Sequence, residues 1–137
     1  MFKKNDDKRQ TAKIECLIGE TTLIDGTLSF SRDLRIDGRV KGNVVQMGDE
    51  ASVLVLSERG RIDGEVRVGL AIINGTVVGP VYGATYVELQ PKARVTGDVH
   101  YETIEIHPGA VIKGRLMHQE DEGDSNVIPL VQQAGAD

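Results

Sequence analysis

The sequence predicts an all-β chain wound as a parallel β-helix of about six coils, and three observations carry that expectation. The first is a recurring motif: an aliphatic residue, any residue, Gly, any residue, then a second aliphatic. It appears as IDGTL (24–28), VKGNV (40–44), IDGEV (62–66), VVGPV (77–81), VTGDV (95–99) and IKGRL (112–116). The second is its spacing, since the Gly advances from 26 to 114 in five steps, a mean of 17.6 residues. Repetition at such a period marks a solenoid, whose units bury their apolar faces only against their neighbours. The third is composition. Aromatics make up 4% with no Trp, so the core must be filled by Val, Ile and Leu on short, closely packed strands.

Residues 1–17 read as a flexible N-terminal tail. Met1 and Phe2 form a small apolar tip, followed by Lys3, Lys4, Lys8 and Arg9, with Asp6 and Asp7 between them. Such a tip can enter the headgroup boundary of an anionic membrane, where each lysine adds about 1 kcal/mol. The aspartates oppose it, and many tips on one polymer would add through effective concentration.

Residues 18–117 are the expected β-helix domain. Two residues before the motif Gly stand Ile24, Val40, Ile62, Val77, Val95 and Ile112; two after stand Leu28, Val44, Val66, Val81, Val99 and Leu116. Positions two apart in an extended chain point the same way, so each motif sends two side chains inward. The Gly between them lacks a Cβ, which suits a corner where neighbouring coils approach closely. A second inward set, Leu54/Leu56, Val87/Leu89 and Ile104/Ile106, precedes three of the motifs. Turn residues separate the two sets at SERGR (57–61), QPKAR (90–94) and HPGAV (107–111). One coil therefore holds about three short strands.

The steps are uneven. Gly42 to Gly64 takes 22 residues, with the surplus at 45–52, a predicted loop; Gly64 to Gly79 takes 15, predicting a tight coil around GLAIIN (69–74). Stacking also sets like positions above one another. The residue before Gly runs Asp25, Lys41, Asp63, Val78, Thr96, Lys113 with no like pair adjacent, and Asp98 falls beneath Arg115. Residues 118–137 leave the pattern and read as a flexible acidic tail.

Function classes fall away in turn. A net charge of −5, with no basic cluster beyond the first residues, argues against nucleic acid as a partner. Cys16 is the one cysteine, a bystander in the flank, so no internal disulfide forms and nothing implies secretion. No apolar run approaches the about 20 residues of a membrane span, and MFKKNDDKRQ has no signal-peptide core. The protein is expected in the cytoplasm, peripheral at the inner face of the cytoplasmic membrane where the tip engages. His100, His107 and His118 lie at different phases of the repeat and make no ligand row, so no metal site is expected. No G-x-S-x-G, G-x-G-x-x-G or G-x-x-x-x-G-K-[ST] occurs, so no catalytic residue or cofactor is assigned. Left-handed β-helix acyltransferases also have coils of about 18 residues, but with an aliphatic at every sixth position. The glycines here hold no such register, which leaves a discrete-oligomer binding module or acyltransferase-like enzyme as the alternative.

The stack itself points to a function. Its end coils expose strand edges and core cross-section, and open edges are templates for pairing unless capped. No capping unit is visible: Leu116 and Met117 pass straight into the charged tail, and polar residues precede the first coil. Uncapped ends meet other ends, and stacking that does not close gives a filament. The expected contacts are Ile104, Ile106, Ile112 and Leu116 on the last coil and Leu23, Leu28 and Phe30 on the first.

LRIDGRVKGNV (34–44), GRIDGEV (60–66), INGTVVGPV (73–81), VELQPKARVTGDV (87–99) and IEIHPGAVIKGRL (104–116), in that order, resemble the bactofilins, bacterial polymer-forming cytoskeletal proteins. The resemblance covers roughly residues 20–117. It implies a right-handed, triangular β-helix with disordered tails, filaments that form without nucleotide, and scaffolding of cell-wall enzymes or other morphogenesis proteins. Many family members begin with a membrane-targeting Met-Phe and basic residues, which Met1, Phe2, Lys3 and Lys4 resemble. The family's apolar residue near the polymer contact, within a G-A-x-Φ-x-G segment, corresponds to Ile112.

Overall fold

Each recurring motif is two short strands with its glycine at the corner between them. The computed structural model describes residues 15–48 and 51–119, and these form strands and turns without a helix. The first coil is β1 (Cys16–Ile18), β2 (Leu23–Asp25) and β3 (Leu28–Phe30); the second is β4 (Asp33–Ile36), β5 (Arg39–Lys41) and β6 (Val44–Gln46). After β7 (Val53–Leu56) and β8 (Arg61–Asp63), the longer β9 (Val66–Ile73) bends around a corner and serves two faces. The remainder are β10 (Thr76–Val78), β11 (Val81–Leu89), β12 (Arg94–Thr96), β13 (Val99–Ile106), β14 (Val111–Lys113) and β15 (Leu116–His118).

All pairings are parallel, and they generate three faces. One is the six-stranded sheet β2-β5-β8-β10-β12-β14. The others share a sheet that divides: β3 and β6 lead into the first part of β9, and β1, β4 and β7 lead into its second part. β11 and β13 continue both faces, with a register shift between Gly83 and Tyr86 in β11. The result is a triangular parallel β-solenoid of six coils, as the repeat predicts.

The two aliphatic columns are in register from end to end. Ile24, Val40, Ile62, Val77, Val95 and Ile112 pair in succession on one face. Leu28, Val44, Val66, Val81, Val99 and Leu116 do so on the next. The eight members in the middle four coils are at most 1% exposed. The third face adds Leu34/Ile36, Leu54/Leu56, Ala71/Ile73 and Val87/Leu89, all fully buried. These chains interlock along one axis and make a single core.

The motif glycines stack directly. A Cβ on Gly42, Gly64, Gly79, Gly97 or Gly114 would collide with the carbonyl group of the motif glycine one coil before it. At Gly97 the φ of 143° adds a backbone conformation that side chains rarely adopt. Through this column the N–H of Gly26, Gly42, Gly64, Gly79 and Gly97 each donates to a carbonyl of the following coil at 2.8–3.0 Å. Corners entering the six-stranded sheet come in two lengths. Four-residue turns at 19–22, 57–60, 90–93 and 107–110 close with an i+3 hydrogen bond, whereas Asp37-Gly38 and Asn74-Gly75 turn in two residues.

Several expectations need adjustment. Cys16 is not a bystander before the stack: it opens β1, paired with Leu34, and its thiol is exposed on the first coil. The strands therefore run from Cys16 to His118, slightly beyond 18–117. Val45 and Gln46 remain in β6, so the inserted loop begins at Met47. It is tied down by Gln46, whose Oε1 accepts from Ser52 N at 3.0 Å and Gly69 N at 2.8 Å. The coil over Gly69–Asn74 is tight because β9 crosses its corner without a turn and leaves through the two-residue Asn74-Gly75 bend. The tails read at 1–17 and 118–137 fall largely outside the described residues.

Candidate assembly interfaces

The ends of the stack differ from its middle in both backbone and side chains. Among the described residues, β1, β2 and β3 have neighbours on one side only, and so do β14, β15 and the second half of β13. In every other coil the N–H at motif Gly+2 (Leu28, Val44, Val66, Val81, Val99) donates to the coil that follows; Leu116 has no such coil. Unpaired edges of this kind recruit another strand.

Burial along the columns changes at the same places. Ile24, Leu28, Ile104 and Ile112 are only half-buried, packed against the core from one side. Leu23 is 56% exposed at one end, Ile106 42% and Leu116 43% at the other. The structure thus brings Ile104, Ile106, Ile112 and Leu116 together on one coil, with Leu23 and Leu28 on the opposite end. Phe30 is the exception: although it lies in the first coil, it is 6% exposed and belongs to the core. Leu17, 57% exposed on β1, is an end residue that the motif columns did not reveal, because its strand precedes the first motif. Val111, 38% exposed on β14, is another. Met1, Phe2, Lys3 and Lys4 lie outside the described residues.

Electrostatic ties run along strands and between neighbouring coils. Asp98 accepts from Arg115 N at 2.9 Å and from its guanidinium at 3.1 Å, the pairing expected from stacking. The backbone N–H first, then the guanidinium, holds the Asp98 carboxyl below its usual range. Asp63 is likewise depressed, chiefly by its hydrogen bond from Arg61 and further by Arg39, at 3.0 and 3.1 Å. Arg39 and Arg61 are register partners, so a like-charged pair does stack here, with the aspartate bridging it. Asn43 and Asn74 serve as neutral counterparts, accepting from Glu65 N and Lys92 N. On the outside of the second face Arg67 lies 4.0 Å above the Tyr82 ring, which stacks on His100 at 4.3 Å. No helix among the described residues is long and apolar enough to cross a membrane.

Comparison with known proteins bears on these surfaces. Residues 16–117 match the bactofilin family, described as polymer-forming cytoskeletal. The chain is 32% identical over 100 residues to Bactofilin BacP of Myxococcus xanthus, covering 73% of this chain but 40% of that protein. It is 31% identical over 110 residues to Bactofilin BacO of the same organism, covering 80% of this chain and 84% of that one. The fold matches a cryo-EM reconstruction of Thermus thermophilus bactofilin double helical filaments, with a TM-score of 0.63 and 27% identity over 74% of this chain and 98% of that one. With the six-coil stack, the ordered motifs and the match over nearly all of the strands, the chain belongs to the bactofilin family of polymer-forming cytoskeletal proteins.

Proposed function

We propose that this chain is a non-enzymatic cytoskeletal scaffold that assembles end to end into filaments without nucleotide. The observation that carries the reading is the pair of end coils: strand edges unpaired among the described residues, surrounding half-buried aliphatic columns, on a rod whose middle coils are sealed. Coil-on-coil contact would continue both the hydrogen-bonded ladder and the core. Contacts are assigned to Ile104, Ile106, Ile112 and Leu116 on one end and to Leu17, Leu23 and Leu28 on the other.

A double helical arrangement, as in the Thermus thermophilus filaments, needs a lateral surface as well. The outward side of the third face offers Val53, Val55, Leu70 and Ile72, paired in register and only partly buried. Repeated along a filament, this patch recurs once per subunit between the Asp33/Arg35 pair and Glu88, a spaced series of apolar contacts suited to a second strand. We assign Met1, Phe2, Lys3 and Lys4 to loose contact with anionic lipid at the inner face of the cytoplasmic membrane, and envelope or morphogenesis proteins to the filament as cargo.

Negative-stain electron microscopy and sedimentation of the purified chain, without nucleotide, test the assembly reading. Long unbranched filaments in the pellet are expected. A uniform small oligomer in the supernatant would overturn it in favour of a binding module or acyltransferase-like trimer.

A further inference from the structure

Glu88 on β11 and Glu105 on β13 are register partners on adjacent coils, so two carboxylates stack on one outward ladder. Like charges directly opposed across strands are destabilising. This pair calls for positive charge between its members. His107 begins the next turn and points back at both carboxylates. Its Nε2 lies 3.0 Å from Glu88 Oε2 and 3.4 Å from Glu105 Oε2, and the ligand atoms of all three residues fall within 4.8 Å of one another.

The surroundings orient these groups. The Tyr86 hydroxyl lies 2.8 Å from Glu105 Oε1 and 3.3 Å from Glu88 Oε1, leaving both Oε2 atoms turned towards His107. Gln90 Nε2 donates to Glu88 Oε2 at 3.2 Å. Hydrogen bonds of this kind, behind the ligands, are what fix a metal's donors in place.

The distances are those a shared ion would need. With nitrogen and oxygen ligands about 2.1 Å from an ion, neighbouring donors sit about 3.0 Å apart in octahedral and about 3.4 Å apart in tetrahedral geometry. The separations from Nε2, 3.0 and 3.4 Å, lie within the range spanned by those edges, as they also suit an imidazole hydrogen-bonded to carboxylates, and rotation of the exposed Glu105 carboxylate would bring in the third donor. One imidazole with two carboxylates suits a divalent first-row transition ion.

We propose that Glu88, Glu105 and His107 form a three-ligand site for a divalent transition metal of the zinc class, clamping the last coil to the one before it. The clamp acts where the third face has lost its outer neighbour. It therefore steadies the coil that carries Ile104 and Ile106, a consequence that rests on the assembly reading, whereas metal binding itself does not.

Isothermal titration of the untagged full chain with Zn2+, paired with thermal unfolding, is the test. Saturable binding of about one ion per chain is expected, with a melting temperature that rises on adding zinc and falls on chelation. Glu105→Gln and His107→Ala should each weaken binding by at least about tenfold, and Tyr86→Phe by about tenfold as a loss of orientation. Circular dichroism confirms that each variant is folded. Glu105 has the most exposed side chain of the three, so its variant serves should the histidine change disturb the turn. No binding up to millimolar zinc, or binding unchanged in Glu105→Gln and His107→Ala, would overturn the proposal and leave His107 as an ion-pair partner. Filament formation is scored separately: zinc binding without filaments would fault the assembly reading alone.

Discussion

Glycine and aspartate carry the most specific information at the scale of single residues. Gly79 faces the Gly64 carbonyl, so an added Cβ must displace backbone, whereas a Cβ on Gly26 would meet nothing within 4 Å. Both have positive φ, 150° and 132°. Gly26→Ala should therefore cost about 1–3 kcal/mol of conformational strain, and Gly79→Ala clearly more, as chemical denaturation would show. Acid should loosen the inter-coil ties. Asp63 and Asp98 are depressed in the folded state, so the unfolded chain binds more protons over the interval between the two values. Their stabilisation is complete above the ordinary aspartate value of about 3.9 and is lost as pH falls through the depressed values. Asp63→Asn and Asp98→Asn should each flatten the fall in stability below about pH 4. The effect will be modest, because these pairs face solvent. The aliphatic columns and the Asp98–Arg115 pair were legible in the sequence, being direct stacks of the repeat. Asp63 between Arg39 and Arg61 was not, because the Arg39 contact runs diagonally to the motif register and the Arg61 contact lies along one strand. The grouping of Glu88, Glu105 and His107 was missed for a related reason: comparing histidines with histidines overlooks carboxylates one coil away.

Coils and corners explain which elements could be read. Leu54, Val87 and Ile104 each stand eight residues before the motif aliphatic, and a four-residue turn separates them. Leu34 and Ala71 stand six residues before Val40 and Val77, because their corners are two residues shorter. The third face was thus legible only in coils that share one turn length. Strands β9 and β11 turn between faces at a single glycine, Gly69 and Gly83, and β13 turns with none, so no turn cluster marked their bends. Leu56 is fully buried at the centre of that face, and Leu56→Ala should cost about 2–5 kcal/mol. Gln46→Ala strands the N–H groups of Ser52 and Gly69 and should cost about 1–3 kcal/mol, with faster proteolysis of the 47–52 loop as its signature.

At the scale of the molecule, the described residues make a rod with a sealed middle and open end strands, and the proposed function rests on that contrast. Mutations in the middle coils should act on stability, and mutations at the ends on assembly. Deleting residues 2–9 should lower co-sedimentation with anionic liposomes while leaving filaments intact; unchanged pelleting would remove the membrane contact from the account. The fold was legible because it follows from a periodic core, and the end strands of the described residues lie where that period begins and stops. Phe30 was misplaced because sequence shows which coil a side chain occupies, not how deeply it packs. The most direct test of the central claim is sedimentation of Ile112→Arg beside the unaltered chain, with circular dichroism of both. The account predicts equal β-sheet content, filaments in the unaltered pellet and small species in the variant's supernatant. Long filaments from a folded Ile112→Arg chain would contradict it.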